Sequence, residues 1–285
     1  MMTVKTIGVL GAGQMGGGIA QIAAAAGYEV RLCDASLELA KKGVARIEGL
    51  LDKQVQKGKL EAQARAAIVS RITPVDSPTQ LRGCDLVIEA ATENLELKLA
   101  LFRQCDQALE EGATLASNTS SISLTRIAAE TSRPERVVGL HFMNPPPLMS
   151  LVEIVRALQT SNETYELAKT VAESMGKTVV TSRDAPGFLV NRILIPMLCE
   201  AIFTLEQGVG TAEDIDRGAK LGLNHPMGPL ELADLIGLDT VLFIAEVLHR
   251  DFGDSKYRPP TMLRNLVAAG FLGRKTGRGF YTYPR

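Results

Sequence analysis

A histidine and a glutamate stand in two apolar runs of this chain, separated by three prolines. Val137 to Phe142 has the β-branched and aromatic composition of a strand, and Leu151 to Val155 has it again. Pro145, Pro146 and Pro147 donate no ladder hydrogen bond and hold the intervening chain turned. If the two runs pair, His141 and Glu153 lie side by side at the mouth of the turn. A carboxylate on one imidazole nitrogen fixes the tautomer and leaves the other nitrogen to serve as a general base. The competing reading is a core histidine bonded to backbone and a surface glutamate.

A second chemical signal lies near the start. Thr6 to Leu10 reads as a short strand, followed by Gly11-Ala12-Gly13-Gln14-Met15-Gly16, a helix over about 17–26, and a strand from Glu29 to Cys33. This is a G-x-G-x-x-G turn in its strand–turn–helix setting. Gly11 permits the tight turn, Gly13 admits a pyrophosphate to the backbone, and Gly16 lets helix and sheet approach. The N–H groups of the helix start meet the diphosphate. Asp34 lies 21 residues after Gly13, where an acid bonds ribose hydroxyls and repels a 2′-phosphate. NAD is therefore expected rather than NADP.

The third signal is basic. A helix over about 37–57 turns Leu37, Ala40, Val44, Ile47, Leu51 and Val55 to one face. Lys42, Arg46, Lys53 and Lys57 cluster on nearly the opposite face. That stripe is either a solvated surface or a site for a multiply phosphorylated substrate. Gly43 and Gly49 argue against an unbroken helix.

These residues need a scaffold, and the alternation of strands and helices predicts one. It is a Rossmann-type, doubly wound parallel sheet, in which ligands bind beyond the carboxyl ends of the strands. Asp34, Glu89 to Glu93, Asn118 to Ser121 and His141 then share one rim, with Glu93 and Lys98 flanking the nicotinamide end. In Ser117-Asn118-Thr119-Ser120-Ser121, one hydroxyl can cap the next helix, expected from Ser123 to Thr131, while another faces the cleft. After Asp184-Ala185-Pro186-Gly187 the pattern turns helical. Two domains are expected, a dinucleotide-binding domain over 1–186 and an all-α substrate and dimerisation domain over 187–285. The tail from Gly270 to Tyr283 is too glycine-rich for a helix and is expected to pack as an ordered loop.

Composition sets limits. A net charge of −1 without a long basic run speaks against nucleic acid, and no stretch reads as a transmembrane span. The four cysteines show no C-x-x-C spacing, no metal site is expected, and reduced thiols suit a cytoplasmic location.

The whole chain resembles the L-3-hydroxyacyl-CoA dehydrogenases, in particular the stand-alone 3-hydroxybutyryl-CoA group. The resemblance rests on Gly11 to Gly16, Ser117 to Ser121, His141-Phe-Met-Asn-Pro145, Leu151-Val-Glu153, Pro186-Gly-Phe-Leu-Val-Asn-Arg192, Pro226-Met-Gly-Pro229 and Lys275-Thr-Gly-x-Gly-Phe-Tyr281. It implies His141 as catalytic base with Glu153 as its partner, and Ser120 and Asn191 as hydrogen-bonding residues for the substrate. It also implies Asn144 near the active site, Glu93 and Lys98 near the cofactor, and CoA phosphates on the basic helix, with Lys53 and Lys57 as contacts. An acyl-CoA substrate and a homodimer joined through the C-terminal half follow from the same resemblance. Pro146 and Leu148 depart from the family pattern in the turn after His141. The rival readings are a dehydrogenase of a free 3-hydroxy acid such as L-gulonate, and a non-catalytic NAD-binding protein.

Overall fold

The computed structural model describes residues 4–284, and the chain divides into two compact units, 1–185 and 186–285. In the first, β1 (Thr6–Leu10) passes through the glycine turn into α1 (Gln14–Ala25), then β2 (Glu29–Cys33), α2 (Leu37–Gln56) and α3 (Ala62–Ser70). Next come β3 (Ile72–Val75), β4 (Leu86–Glu89), α4 (Leu95–Ala108), β5 (Thr114–Ser117), α5 (Leu124–Ala128) and β6 (Val137–Phe142). The unit closes with β7 (Leu151–Arg156), α6 (Asn162–Ser174) and β8 (Thr178–Arg183).

All eight strands form one sheet in the order β3-β2-β1-β4-β5-β6-β7-β8. From β3 to β6 every neighbouring pair is parallel, so these strands end on one rim. The parallel run stops there, at the turn across which the two apolar runs were expected to pair. β7 runs antiparallel to β6, and β8 is parallel to β7. The turn between β6 and β7 is too short for the crossover that a parallel neighbour requires, whereas α6 supplies one between β7 and β8. The central strands are buried on both faces, and apolar residues such as Ile7, Val9, Ile88, Leu140 and Ile154 share a core with α1 and α6.

Two helix boundaries differ from expectation, for local reasons. α1 begins at Gln14 rather than near Gly17, because Gly13 itself is the N-cap, and no side chain caps it. α5 is shorter than expected, and Ser123 caps it by accepting from the Arg126 N–H. α2 runs unbroken through Gly43 and Gly49. At Gly43 the missing side chain is required: a Cβ there would stand 2.6 Å from the Ala12 Cβ and 2.9 Å from its carbonyl oxygen. α2 thus lies directly against the glycine turn.

The second unit is helical, with α7 (Val190–Glu206), α8 (Ala212–Gly222), α9 (Pro229–Ile236), α10 (Leu238–Phe252) and α11 (Thr261–Ala268). Leu198, Ile202, Leu230, Val241, Leu248 and Leu263 form its core. Its glycine-rich tail is ordered by side chains and two isolated bridges. The buried Asp234 accepts from the Phe280 and Tyr281 N–H groups and from the Tyr283 hydroxyl, and the Tyr281 hydroxyl donates to Asp216 at 2.8 Å. Among the described residues no helix is long and apolar enough to cross a membrane.

Candidate active site

Two clefts in the first unit share the glycine turn as a wall. One, of about 540 Å³, is lined by Gly11, Gly13, Gln14, Met15, Asp34 and, beyond β4, Ala90 to Thr92. A Cβ at Gly16 would fall 1.7 Å from the Gly11 carbonyl oxygen, so close packing explains that glycine. Gly13 is different. A Cβ there would meet nothing within 4 Å, so the protein's own packing does not demand its bareness, and the bare backbone leaves room for a docking group. Asp34 accepts from the Ala12 and Ala35 N–H groups at 2.7 Å each, and so is locked beside the turn. An open glycine, an uncapped helix start and a fixed carboxylate in one cleft suit a dinucleotide with unmodified ribose hydroxyls.

The pairing of β6 with β7 places His141 directly opposite Glu153. The His141 Nδ1 and Glu153 Oε2 atoms are 3.0 Å apart, and the carboxylate is fully buried. An ionised carboxylate only accepts, so Nδ1 donates. The tautomer that results directs the lone pair of the neutral ring to Nε2.

A charged network lies under the polar loop after β5. Oε1 of Glu93 accepts from the Thr119 hydroxyl at 2.6 Å, and from the N–H and hydroxyl groups of both Ser120 and Ser121. Burial pushes the Glu93 carboxyl up, but the Lys98 ammonium and these donors outweigh it and hold it below the ordinary carboxylate range. Lys98 is almost wholly enclosed, 2.6 Å from Glu89 and 3.4 Å from Glu93. It therefore stands behind Glu93 rather than along the cleft. Glu89, expected on the rim with Glu93, is buried and committed to this network, where it also accepts from the Ser117 hydroxyl. Because Ser123 caps α5, the Ser120 hydroxyl is not consumed as a cap. Asn118 commits its side-chain oxygen to the Phe142 N–H at 2.9 Å, tying the end of β5 to the end of β6.

The other cleft, of about 580 Å³, is basic. Arg46, Lys53, Lys57 and Lys59 line it, facing Gly13, Gln14, Pro145, Pro147 and Leu148. Of the expected stripe, Lys42 does not take part, since it pairs with Glu38 on the exposed side of α2. Lys59 replaces it from beyond the helix end, where helical periodicity could not place it. Arg46 also donates to the Ala12 carbonyl at 3.2 Å. Asn144 accepts from the Gln14 amide at 3.0 Å, so the proline turn is tied to the glycine turn. Asn191 belongs to the second unit, buried in the first turn of α7, just after Gly187 and Phe188, which both have positive φ.

Two family profiles divide the sequence between them. Residues 6–185 match the 3-hydroxyacyl-CoA dehydrogenase NAD binding domain, and residues 187–283 match the 3-hydroxyacyl-CoA dehydrogenase C-terminal domain. The chain belongs to the 3-hydroxyacyl-CoA dehydrogenase family. It is 53% identical to a 3-hydroxybutyryl-CoA dehydrogenase of Bradyrhizobium diazoefficiens, over 98% of this chain and 96% of that one. It is 51% identical to a probable 3-hydroxybutyryl-CoA dehydrogenase of Bacillus subtilis, over 99% and 98%. Among solved structures, (S)-3-hydroxybutyryl-CoA dehydrogenase from Ralstonia eutropha superposes with a TM-score of 0.96 at 49% identity, covering 99% of this chain and all of that one. For a member of this family NAD is the cofactor, and the residues of the first cleft suit it.

Proposed function

We propose that this member of the 3-hydroxyacyl-CoA dehydrogenase family interconverts (S)-3-hydroxyacyl-CoA and 3-oxoacyl-CoA with NAD, and that 3-hydroxybutyryl-CoA and acetoacetyl-CoA are its short-chain pair. The observation that carries this reading is the buried His141–Glu153 pair, on the rim that also holds the glycine turn. The chemistry supplied by bound NAD is hydride acceptance from C3 in one direction and hydride donation in the other. His141 takes the hydroxyl proton at Nε2 as hydride leaves, and returns it in reduction. Glu153 stabilises the imidazolium and keeps the ring from turning. Ser120, whose hydroxyl proton turns from Glu93 to do so, and Asn191 share the developing charge on the reacting oxygen or the thioester carbonyl as hydrogen-bond donors. Glu93 holds the loop that carries Ser120, and its own negative charge lies toward the nicotinamide end, with Lys98 behind it. General acid–base help of this kind supplies roughly 10²–10⁴-fold in rate.

The basic cleft takes the CoA phosphates through Lys53, Lys57 and Lys59. A free hydroxy acid would leave those cations without a purpose. In this reading residues 1–186 form the NAD-binding domain, residues 187–285 form the substrate and dimerisation domain, and the enzyme is a cytoplasmic homodimer. Exposed apolar residues in the second half, including Ile193, Val209, Leu221 and Leu223, support the dimer contact.

The test is NADH oxidation with acetoacetyl-CoA and free acetoacetate, and NAD⁺ reduction with gulonate-type acids, in the wild type and in His141→Ala and Glu153→Gln. Turnover of the thioester alone is expected, with a loss of roughly 10²–10⁴-fold in His141→Ala. Turnover of a free acid alone would move the assignment to that substrate class, and undiminished activity in both variants would remove the pair from the mechanism.

A further inference from the structure

The turn between His141 and Glu153 has a problem of hydrogen-bond supply. Pro145, Pro146 and Pro147 bring three carbonyls and no N–H group. The Leu148 and Met149 N–H groups both go to the Pro145 oxygen, at 3.0 and 3.1 Å. The Pro146 and Met149 carbonyls, on opposite limbs of the turn, therefore need donors from elsewhere.

One side chain meets both. The Lys177 ammonium donates to the Pro146 oxygen at 2.6 Å and to the Met149 oxygen at 2.7 Å. Lys177 is 9% exposed, and burial holds its ammonium below the ordinary lysine range. It reaches this position from the end of α6, where Gly176 turns the chain at φ +74 and the Lys177 N–H closes on the Ala172 carbonyl. The other side of the turn is also fixed. A Cβ at Gly18 of α1 would stand 2.9 Å from the Pro146 ring, so the prolines sit directly on that helix. The same turn then presents Pro145, Pro147 and Leu148 to the basic cleft, across from Lys53, Lys57 and Lys59.

We infer that Lys177 is a positioning residue for the substrate: by bracing both limbs of the proline turn, it sets the wall against which the long arm of an acyl-CoA lies. The assignment rests on the acyl-CoA reading of that cleft. Lys177 touches no reacting group. Its effect runs through the placement of Pro145, Pro147 and Leu148, and so appears in KM for substrates that reach along the cleft.

The experiment compares Lys177→Met and Lys177→Gln with the wild type, and Lys177→Arg as the conservative variant that restores donors. Three quantities are read: amide exchange at Leu148 and Met149, KM and kcat for acetoacetyl-CoA against a short acetoacetyl thioester lacking the nucleotide, and the NADH Kd. Removing two buried hydrogen bonds should speed exchange at both amides and raise KM for the CoA ester, each about tenfold. KM for the short thioester and the NADH Kd should change less than about twofold, and Lys177→Arg should recover most of the loss. Lys177→Gln keeps a donor and guards against a methionine variant that fails to fold. Unchanged exchange in folded variants would overturn the brace, and an equal rise in KM for both thioesters would overturn its link to the cleft. Absence of turnover in the wild type would instead sink the dehydrogenase reading, with the exchange data still deciding whether Lys177 braces the turn.

Discussion

Glu93 is the residue whose behaviour is most constrained by its surroundings. Five donor groups and the Lys98 ammonium converge on its carboxylate. Their combined pull overcomes burial and keeps it ionised into acid. A carboxyl whose folded pKa is depressed contributes stability above the ordinary carboxylate range and loses it as pH falls through the folded value. Glu93→Gln should therefore cost about 1–3 kcal/mol at neutral pH. That deficit should shrink in mild acid, where the wild-type group also becomes neutral; urea midpoints at the two pH values measure it. A constant deficit would mean that shape rather than charge holds the loop. Such a hub was only partly legible from sequence. Glu93 and Ser120 could be named individually, but a single carboxylate oxygen serving three consecutive loop residues depends on how β4 and β5 end side by side. The burial of Glu89 against Lys98 and Ser117 was not legible, and Lys177 was missed, for the same reason: their partners lie in other elements.

At the scale of elements, α2 leans on the glycine turn so closely that Gly43 and Ala12 leave no room for a methyl group. Gly43→Ala should push α2 outward and disturb the turn, with an overpacking cost of about 1–3 kcal/mol. NADH affinity should fall together with stability, and calorimetric titration beside thermal melting would show both. A loss of stability alone would mean that the turn keeps its shape without α2. Gly43 reads in the sequence as a weak point in a helix, and only the packing reveals it as the site of closest approach. The strand–turn–helix with Asp34 was legible apart from the helix start, because each of its residues acts on near neighbours. The reversal at β7 could be read as a pairing between two runs, yet its place beside a further strand, β8, depends on the crossover through α6.

For the molecule as a whole, the glycine-rich stretch up to Tyr283 is part of the second unit rather than an appendage. Asp216 holds the start of α9 by accepting from the Leu230 and Glu231 N–H groups, and it also takes the Tyr281 hydroxyl. Tyr281→Phe should therefore lower stability by about 1–3 kcal/mol, because it removes one donor from a buried acid. A shift in the thermal midpoint with an unchanged NADH Kd is the expected result, and an unchanged midpoint would show that the tail is only laid on the surface. Composition suggested an ordered loop here, but nothing in the spacing named its two aspartate anchors. The four buried cysteines carry a different consequence. Burial, with neighbouring acids assisting at Cys33, Cys105 and Cys199, pushes their thiols up to about 11 or 12. At neutral pH roughly one in ten thousand or fewer is a thiolate, so maleimides and mild oxidants meet a silent background. A cysteine introduced at the exposed Leu148 would thus be the dominant reactive thiol, a ready attachment point for a fluorophore that watches the proline turn while substrate binds.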